Sequence, residues 1–408
     1  MACCENESFL RAHMAALSHD LNRVASEQDQ ITIPFAPIDY LKKLIEEVDA
    51  VFKSEPVLLK LNGPLVIVGD LHGHILDLYR IFQKFELPPY TSYLFLGDLV
   101  DRGEFSIETL SFIYVLKVLF PKNIYLIRGN HEFRSTTIDG GLLVESKKLY
   151  PRTKVFEEIT RSFENIPLAA LINEKILCLH GGLSPSFSSL SQLEEIERPI
   201  PNFNDPLVCG ILWSDPSEKV DAFLPSQRGT GFLYGKNAVE KFLCHNNLTC
   251  IIRGHECVKE GILSKFDDHV FTVFSASNYC GVTNNKAAVL TISISCEMRF
   301  DFFPPFQYLK RNKVKYMNPS DPPSSMILLR TVPSRSVAMR GSDNLRWASM
   351  SAINTARSAD VLAKSARKGQ PLTICSSIDS IKRITRRRRM VDLTKPLPSL
   401  LTDGELRE

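Results

Sequence analysis

Side chains that commonly bind metal ions follow five short apolar runs in this sequence. The runs span 65–68, 93–96, 124–127, 176–179 and 248–252, and the side chains after them are Asp70, His72, Asp98, Asn130, His180 and His255. Short apolar runs bounded by glycine predict buried strands, and ligands of layered α/β folds bind beyond the carboxyl ends of such strands. A single Asp or His in such a place is more often a turn former or a core residue. Five repeats favour a metal centre at one edge of a sheet.

The types and spacing of these residues indicate the reaction. Asp70 and His72 lie two apart at an extended strand end, so both side chains could reach one ion. The carboxylate of Asp98 could bridge two ions, and mixed carboxylate, imidazole and amide ligands suit iron, manganese or zinc. Two bridged ions activate water and stabilise the oxygens of a displacement at phosphorus. The pattern therefore predicts metal-assisted hydrolysis of a phosphoester.

Three neighbouring side chains are candidates for catalysis. His131 directly follows Asn130 and could protonate a leaving alkoxide. Asp101 could fix the tautomer of His131, with a turn carboxylate as the alternative. Arg102 could bind phosphate oxygens through its guanidinium group. Glu132 could equally be the structural partner of a buried arginine.

The segments that must position these residues alternate between strand and helix up to about residue 245, which predicts an α/β fold. Apolar residues at helical spacing predict helices over 37–52, 106–119 and 154–163. Beyond residue 246 the pattern is mostly of strands, with runs at 270–274, 287–293 and 297–302.

Charge divides the 408-residue chain into an acidic body and a basic tail. From residue 310 onwards there are 20 Lys and Arg against 8 Asp and Glu, whereas residues 1–309 carry 29 against 38. We expect an N-terminal extension over 1–37, a catalytic domain over 38–308 and a largely disordered tail over 309–408. No secretory signal or membrane-spanning stretch is visible, which favours the cytoplasm, and the basic run at 382–389 makes the nucleus an alternative. The ten cysteines include no Cys-x-x-Cys pair, which argues against a structural zinc module.

At these motifs the sequence resembles the phosphoprotein phosphatase family of metal-dependent serine/threonine phosphatases, which includes types 1 and 2A and calcineurin. The signature blocks are Gly-Asp-Leu-His-Gly at 69–73, Gly-Asp-Leu-Val-Asp-Arg-Gly at 97–103 and Gly-Asn-His-Glu at 129–132. Further matches follow in order at 179–185, 212–216, 228–231, 253–256 and 277–280. The resemblance implies the calcineurin-like metallophosphoesterase fold, a two-sheet β-sandwich flanked by helices.

The same resemblance implies roles for individual residues. One metal would take Asp70, His72 and Asp98, and a second would take Asp98, Asn130, His180 and His255, the pair being Mn, or Fe with Zn. His131 would be the general acid with Asp101 as its partner. The phosphate clamps would be Arg102 and Arg228, and Tyr279 would line the substrate cleft.

The sequence also departs from the family pattern. Residues 140–145 read Gly-Gly-Leu-Leu-Val-Glu where the family usually shows Tyr-Gly-Phe-Tyr-Asp-Glu. Ser277 stands where proline is usual, and His74 replaces a common glutamine. Residues 306–318 are basic and lack the apolar stripe with which calcineurin binds its calcium-sensing subunit, which argues against a calcineurin B-type partner.

These observations together predict hydrolysis of phosphoserine and phosphothreonine in proteins, with metal-activated water as the nucleophile and His131 as the acid. The alternatives are a phosphoesterase acting on small phosphoesters and a non-catalytic scaffold of the same fold. Expected partners are phosphoprotein substrates and regulatory subunits, while the lack of aromatic residues around the basic run argues against nucleic acid. The tail is expected to serve as an intramolecular clamp on the acidic body or as a nuclear-import signal.

Overall fold

The computed structural model of the chain describes residues 2–318. The basic run at 382–389, and with it the expected clamp and import signal, lies outside the described residues. Eleven α-helices occur in the described part, and they are α1 Ala2–Leu17, α2 Leu21–Ala25, α3 Ile38–Ser54, α4 Ile75–Phe85, α5 Ser106–Leu119, α6 Arg134–Gly140, α7 Leu142–Leu149, α8 Val155–Phe163, α9 Ser191–Glu194, α10 Pro206–Trp213 and α11 Lys236–His245. None of these helices is long and apolar enough to span a bilayer.

Sixteen strands are described, and most of them belong to two large sheets. They are β1 Thr32–Pro34, β2 Leu58–Leu61, β3 Leu65–Val68, β4 Tyr93–Phe95, β5 Ile124–Leu126, β6 Ala169–Ile172, β7 Ile176–Leu179, β8 Asp215–Pro216, β9 Phe223–Pro225, β10 Phe232–Tyr234, β11 Cys250–Arg253, β12 Ile262–Lys265, β13 Val270–Val273, β14 Ala287–Ile292, β15 Met298–Phe303 and β16 Lys315–Met317.

The two large sheets form a sandwich. One has six strands in the order β12-β13-β11-β7-β6-β2, and the other has five in the order β15-β14-β3-β4-β5. Strands β3, β4 and β5 run parallel, as do β7, β11 and β13, so each group ends at the same edge of its sheet. Smaller sheets join β8, β9 and β10, and β1 pairs in parallel with β16.

Alternation along the strands explains the layers. In β3, Leu65 and Ile67 pack into the core between the sheets, while Val66 and Val68 pack into a second core that holds the apolar faces of α3, α4 and α5. A third core, on the other side, packs the six-stranded sheet against α11. Residues two apart on a strand share a face, so a strand buried on both faces reads as a continuous apolar run. The predicted two-sheet sandwich flanked by helices is thereby confirmed.

The predicted elements agree closely with those observed. The helix over 106–119 has the bounds of α5, and the helices over 37–52 and 154–163 correspond to α3 and α8. The five apolar runs are β3, β4, β5, β7 and β11, each within about two residues of its expected bounds.

Two segments outside the predicted catalytic domain pack against it. Helix α1, in the presumed N-terminal extension, buries Phe9 and His13, and the His13 ring stacks on Phe112 of α5 with centroids 4.0 Å apart. At the other end, Arg311 forms ion pairs with Glu108 and Glu145. Residues 309–317, assigned to the tail from their composition, therefore lie on the folded body.

The buried His13 makes stability depend on pH. Burial lowers the pKa of His13 from 6.5 to about 3. The neutral ring stabilises the folded chain at pH values above the pKa that His13 has in the unfolded chain. This contribution is lost progressively as the pH falls from about 6.5 towards about 3, because the unfolded chain takes up the proton first. Between about pH 7.5 and about pH 5.5, we expect wild type to lose about 1.4 kcal/mol more unfolding free energy than His13→Gln, measured by urea titration.

The control is His245→Gln, at an exposed histidine near the end of α11. This variant tests whether the difference is specific to position 13. Identical pH dependences in wild type and His13→Gln would contradict a neutral imidazole at this position.

Candidate metal centre

The two large sheets meet where β3 and β13 end. Asp70, two residues beyond β3, forms an isolated parallel bridge with Phe274, directly after β13. The amide of Ser275 donates to the carbonyl oxygen of Asp70 at 3.1 Å, and the Ser275 hydroxyl accepts from Gly69 N at 2.8 Å. Loops from both sheets therefore reach one place, whereas the strand-end side chains by themselves predicted a site at one edge of a single sheet.

Asp98 lies at the centre of this site, and the side chain of Glu132 binds the backbone around it. The Glu132 carboxylate accepts hydrogen bonds from the amides of Asp98, Leu99 and Gly129, at 2.8, 2.8 and 2.9 Å. The Oδ1 atom of Asp98 accepts from the amide of His131 at 2.9 Å, which leaves Oδ2 facing the histidines. Buried charge is tolerated where several donors satisfy it.

Asp98 is shared by two groups of possible metal ligands. The ligand atoms of His72, Asp98 and His131 lie within 4.8 Å of one another, and so do those of Asp98, His180 and His255. His72 Nε2 and His180 Nε2 each lie 3.4 Å from Asp98 Oδ2. The sequence predicted Asp70 in the first group, and its Oδ2 lies 3.9 Å from His72 Nε2.

The second group includes the predicted amide ligand. Asn130 Oδ1 lies 2.8 Å from His180 Nε2 and 2.9 Å from His255 Nδ1, and the two ring nitrogens are 3.2 Å apart. The Nδ1 atom of His180 lies 2.8 Å from the carbonyl oxygen of Leu96, a contact that orients the ring. All six predicted ligand residues are therefore brought to one site.

The charges of this cluster are strongly perturbed. Burial, and then the neighbouring Asp98, raises the pKa of Asp70 to about 7. Burial alone would raise the pKa of Asp98, but His180 and His131 hold it well below its usual range. Burial would lower the pKa of His180, yet Asp98 outweighs it and raises the pKa to about 9. Two neighbouring buried carboxylates can both be ionised only if positive charge lies close to them.

Metal ions fit this donor set and its space. His255 Nδ1, Asn130 Oδ1 and His180 Nε2 all lie within 3.2 Å of one another, so three possible ligand atoms converge. A Cβ at position 129 would lie 2.2 Å from Asp98 Oδ1, and one at position 254 would lie 2.3 Å from Asp70 Oδ1, so only glycine leaves the carboxylates free. The backbone φ angles are 44° at His72, 52° at Asp98 and 70° at His255. Such positive angles are strained for residues with a side chain and are common at functional sites. The His/Asp clusters can therefore bind metal.

His131 lies beside the cluster with its ring fixed. Its Nδ1 atom lies 2.7 Å from Asp101 Oδ2, and its ring centroid is 4.8 Å from that of His72. Burial alone would lower the pKa of His131, but Asp98 and the hydrogen bond to Asp101 raise it above the ordinary value. The second oxygen of Asp101 accepts from Leu142 N at 2.8 Å, so the pair is anchored to α7.

The remaining predicted residues surround the cluster. The Arg102 side chain is exposed, and its charge acts on His131 and Tyr279. The Tyr279 ring lies 5.2 Å from the ring of His72. Arg228 Nε donates to Asp215 Oδ2 at 2.7 Å, with its side chain 41% exposed.

Sequence reasoning missed Asp215 and the role of Glu132 in binding the backbone around Asp98. Asp215 accepts from Arg228 and from buried Arg253, and its Oδ1 lies 3.9 Å from His255 Nε2. Its signal was the block at 212–216, which was read only as a family match. For Glu132 the expected arginine partner is present but differs in detail, because Arg128 donates to the Glu132 carbonyl oxygen rather than to its carboxylate.

Comparisons with known proteins indicate the family to which the chain is similar. Residues 63–259 match the family model of the calcineurin-like phosphoesterases. A protein serine/threonine phosphatase from Saccharomyces cerevisiae, described as similar to human phosphatase PP5, is 33% identical with a TM-score of 0.64, and the match covers 68% of this chain and 92% of that one.

Two more distant structures were also matched. A cold-active protein-tyrosine phosphatase from a psychrophilic Shewanella species is 17% identical over 62% of this chain and 84% of its own, with a TM-score of 0.46. A putative diadenosine tetraphosphatase is 15% identical over 61% of this chain and 98% of its own, with a TM-score of 0.38. Similarity this remote carries no argument about the substrate.

The three amide contacts of Glu132 lead to a test of how Asp98 is held. In Glu132→Gln, one acceptor oxygen remains and an amide NH₂ faces backbone donors, so buried groups lose their partners. We expect the unfolding free energy to fall by about 2 kcal/mol in urea titration. The control is Glu46→Gln, at an exposed position on α3, which should change stability little. A Glu132→Gln protein as stable as wild type would contradict this role.

Proposed function

This chain belongs to the calcineurin-like metallophosphoesterases and, within them, to the phosphoprotein phosphatase family, and we propose that it hydrolyses phosphoserine and phosphothreonine in proteins. The observation that carries the proposal is the arrangement around Asp98, whose carboxylate belongs to two groups of possible metal ligands, the first of which also includes His131. The 33% identity to a serine/threonine phosphatase over most of that protein supports the substrate class.

We assign the ligands as the sequence predicted them. Asp70, His72 and Asp98 would hold one ion, and Asp98, Asn130, His180 and His255 would hold the other. Two ions held there would supply a hydroxide nucleophile at neutral pH and charge for the phosphoryl oxygens. Manganese, or iron with zinc, suits these donors. The convergence of Asn130 Oδ1, His180 Nε2 and His255 Nδ1 and the two buried carboxylates support the assignment.

His131 is proposed as the general acid. Contact between its Nδ1 and Asp101 leaves Nε2 to carry a proton towards the leaving serine or threonine oxygen. The raised pKa of His131 favours the imidazolium over the neutral ring, and Asp101 stabilises that form. Proton transfer to an alkoxide with a high pKa is the step that most needs such help.

Arg102 and Arg228 are proposed to bind the phosphate. Arg102 is exposed beside His131, and Arg228 is held by Asp215 near His255, so the two guanidinium groups lie by different ligand groups. One planar guanidinium group can donate to two phosphate oxygens at once, and arginine stays charged at physiological pH. Tyr279, beside His72, would line the cleft where the substrate side chain enters.

The alternatives remain hydrolysis of small phosphoesters and a non-catalytic role. The chain has every residue proposed above as the acid, the phosphate-binding arginines and the metal ligands, which argues against a non-catalytic scaffold. The sequence identity to a protein phosphatase argues against small substrates. Phosphoprotein substrates and regulatory subunits are the proposed partners. A cytoplasmic or nuclear location and the absence of nucleic-acid binding stay predictions from the sequence.

Replacing the proposed acid gives a direct test. In His131→Asn, manganese-dependent turnover of a phosphothreonine peptide should fall by about 10²-fold or more, because the alkoxide then leaves unprotonated. Turnover of p-nitrophenyl phosphate, whose leaving group needs little protonation, should fall much less. Steady-state kinetics on both substrates measures the difference.

The matched control is His245→Asn, which changes an exposed histidine of α11 and should keep wild-type rates. Equal losses on the two substrates would contradict the acid role. A wild type that hydrolyses p-nitrophenyl phosphate but no phosphopeptide would instead favour small phosphoesters.

A further inference from the structure

Residues 304–317 follow β15 and connect two loops of the catalytic site; we call them the C-terminal strap. The strap begins next to the loop that carries Tyr279, passes the loop that carries Arg102, and ends in β16. There β16 pairs with β1, which fixes its far end to the body. The strap is thus attached at both ends and at the site between them.

The first attachment is to the Tyr279 loop. The Ser277 hydroxyl donates to Asp77 Oδ1 at 3.0 Å and accepts from the amide of Phe306 at 3.1 Å. Asn278 Nδ2 donates to the Phe306 carbonyl oxygen at 3.0 Å. Both polar groups of the Phe306 backbone are therefore taken up by the residues that precede Tyr279.

Tyr308 bridges the two loops. Its side chain lies against Gly281 on the Tyr279 side and contacts the ring of His74 edge-on, with centroids 5.5 Å apart. Its hydroxyl donates to the carbonyl oxygen of Arg102 at 3.4 Å. A single aromatic side chain thus touches the segments that carry Arg102 and Tyr279.

Arg311 makes the second attachment, on the Arg102 side. Its guanidinium pairs with Glu108 and Glu145 and donates to the carbonyl oxygen of Glu104. Glu145 in turn accepts from Ser106 N and Ile107 N, at 3.2 and 3.0 Å, at the start of α5. The side chains of Arg311, Glu108 and Glu145 are only 12%, 2% and 10% exposed, so their charges depend on one another.

The loop beside this attachment needs outside support. Asp101 and Arg102 have φ of 70° and 67°, which is costly for consecutive residues with side chains and persists only where the surroundings impose it. Ser106 supplies one constraint, since its hydroxyl accepts from Asp101 N at 3.1 Å. Glu145, which pairs with Arg311, accepts a hydrogen bond from the Ser106 amide. The Tyr308 hydroxyl donates to the carbonyl oxygen of Arg102.

We propose that Tyr308 and Arg311 are positioning residues of the phosphatase site, holding the phosphate-binding Arg102 at a fixed place relative to Tyr279. This rests on the proposed function, since it assigns the strap to substrate binding in that reaction. Phosphate clamps act only when their geometry is set in advance. Without the strap, the Arg102 loop relaxes from its strained conformation and binds phosphate less well.

Two of the departures from the family pattern are consistent with this role. Ser277 and His74 both contact the strap. These two residues are therefore matched to this chain's own residues 304–317.

The experiment compares Arg311→Met with Lys313→Met in the full chain. Lys313 lies in the same strap but pairs with Glu27 at the surface, with both side chains about half exposed. We expect Arg311→Met to raise KM for the phosphothreonine peptide by about fivefold or more with kcat within about twofold, and Lys313→Met to change neither. Arg311→Lys should give an intermediate KM, because it keeps the charge but not the planar fork.

Unchanged KM in folded Arg311→Met would overturn the proposal, and so would a lower kcat at unchanged KM, which indicates only a loss of active protein. If Arg311→Met does not fold, Tyr308→Ala decides in its place, with KM expected to rise about threefold. If wild type hydrolyses no phosphopeptide, the proposed function fails by itself. Amide hydrogen exchange over residues 99–107 then tests whether the strap positions the Arg102 loop. Faster exchange in Arg311→Met than in Lys313→Met supports this role, and equal exchange overturns it. If Arg311→Met does not fold, Tyr308→Ala takes its place in the comparison.

Discussion

The buried carboxylate of Asp98 is the group on which the site depends. It is 2% exposed and faces His72 and His180 at equal distances. Such a charge is stable in the interior only if positive charge and hydrogen-bond donors surround it. Glu132 fixes its backbone and the His131 amide fixes one oxygen, so the other oxygen is left for the ligand groups on both sides.

The sandwich serves this requirement. Strands from both sheets end at the same edge, which brings ligands from residues 70 to 255 into one cluster without a long loop. The core between the sheets makes these ends rigid, and glycines at 129 and 254 keep side chains out of the space beside the carboxylates. Strained backbone at His72 and His255 is then held by packing on all sides.

The sequence predicted those features that local patterns record. Apolar runs ending in glycine located β3, β4, β5, β7 and β11, and helical spacing located α3, α5 and α8. Helix α1 was missed, although Phe9, Ala12, His13 and Ala16 recur at helical spacing, because the polar run at 5–8 interrupts the apolar pattern in its first half. The N-terminal extension was accordingly predicted without a packed helix.

Long-range polar contacts could not be predicted in this way. Asp77 and Ser277 are 200 residues apart and Glu108 and Arg311 are 203 apart, and neither partner carries a local sign of the other. A basic composition put residues 309–317 in the tail, yet the ion pairs of Arg311 with Glu108 and Glu145, together with the pairing of β16 with β1, attach them to the body.

Anomalous diffraction from crystals grown with manganese tests the shared role of Asp98 most directly. The arrangement predicts two peaks with the Asp98 carboxylate between them, one near His72 and the other near His180 and His255. A single peak, or peaks away from Asp98, would contradict the dinuclear site around which the rest is built.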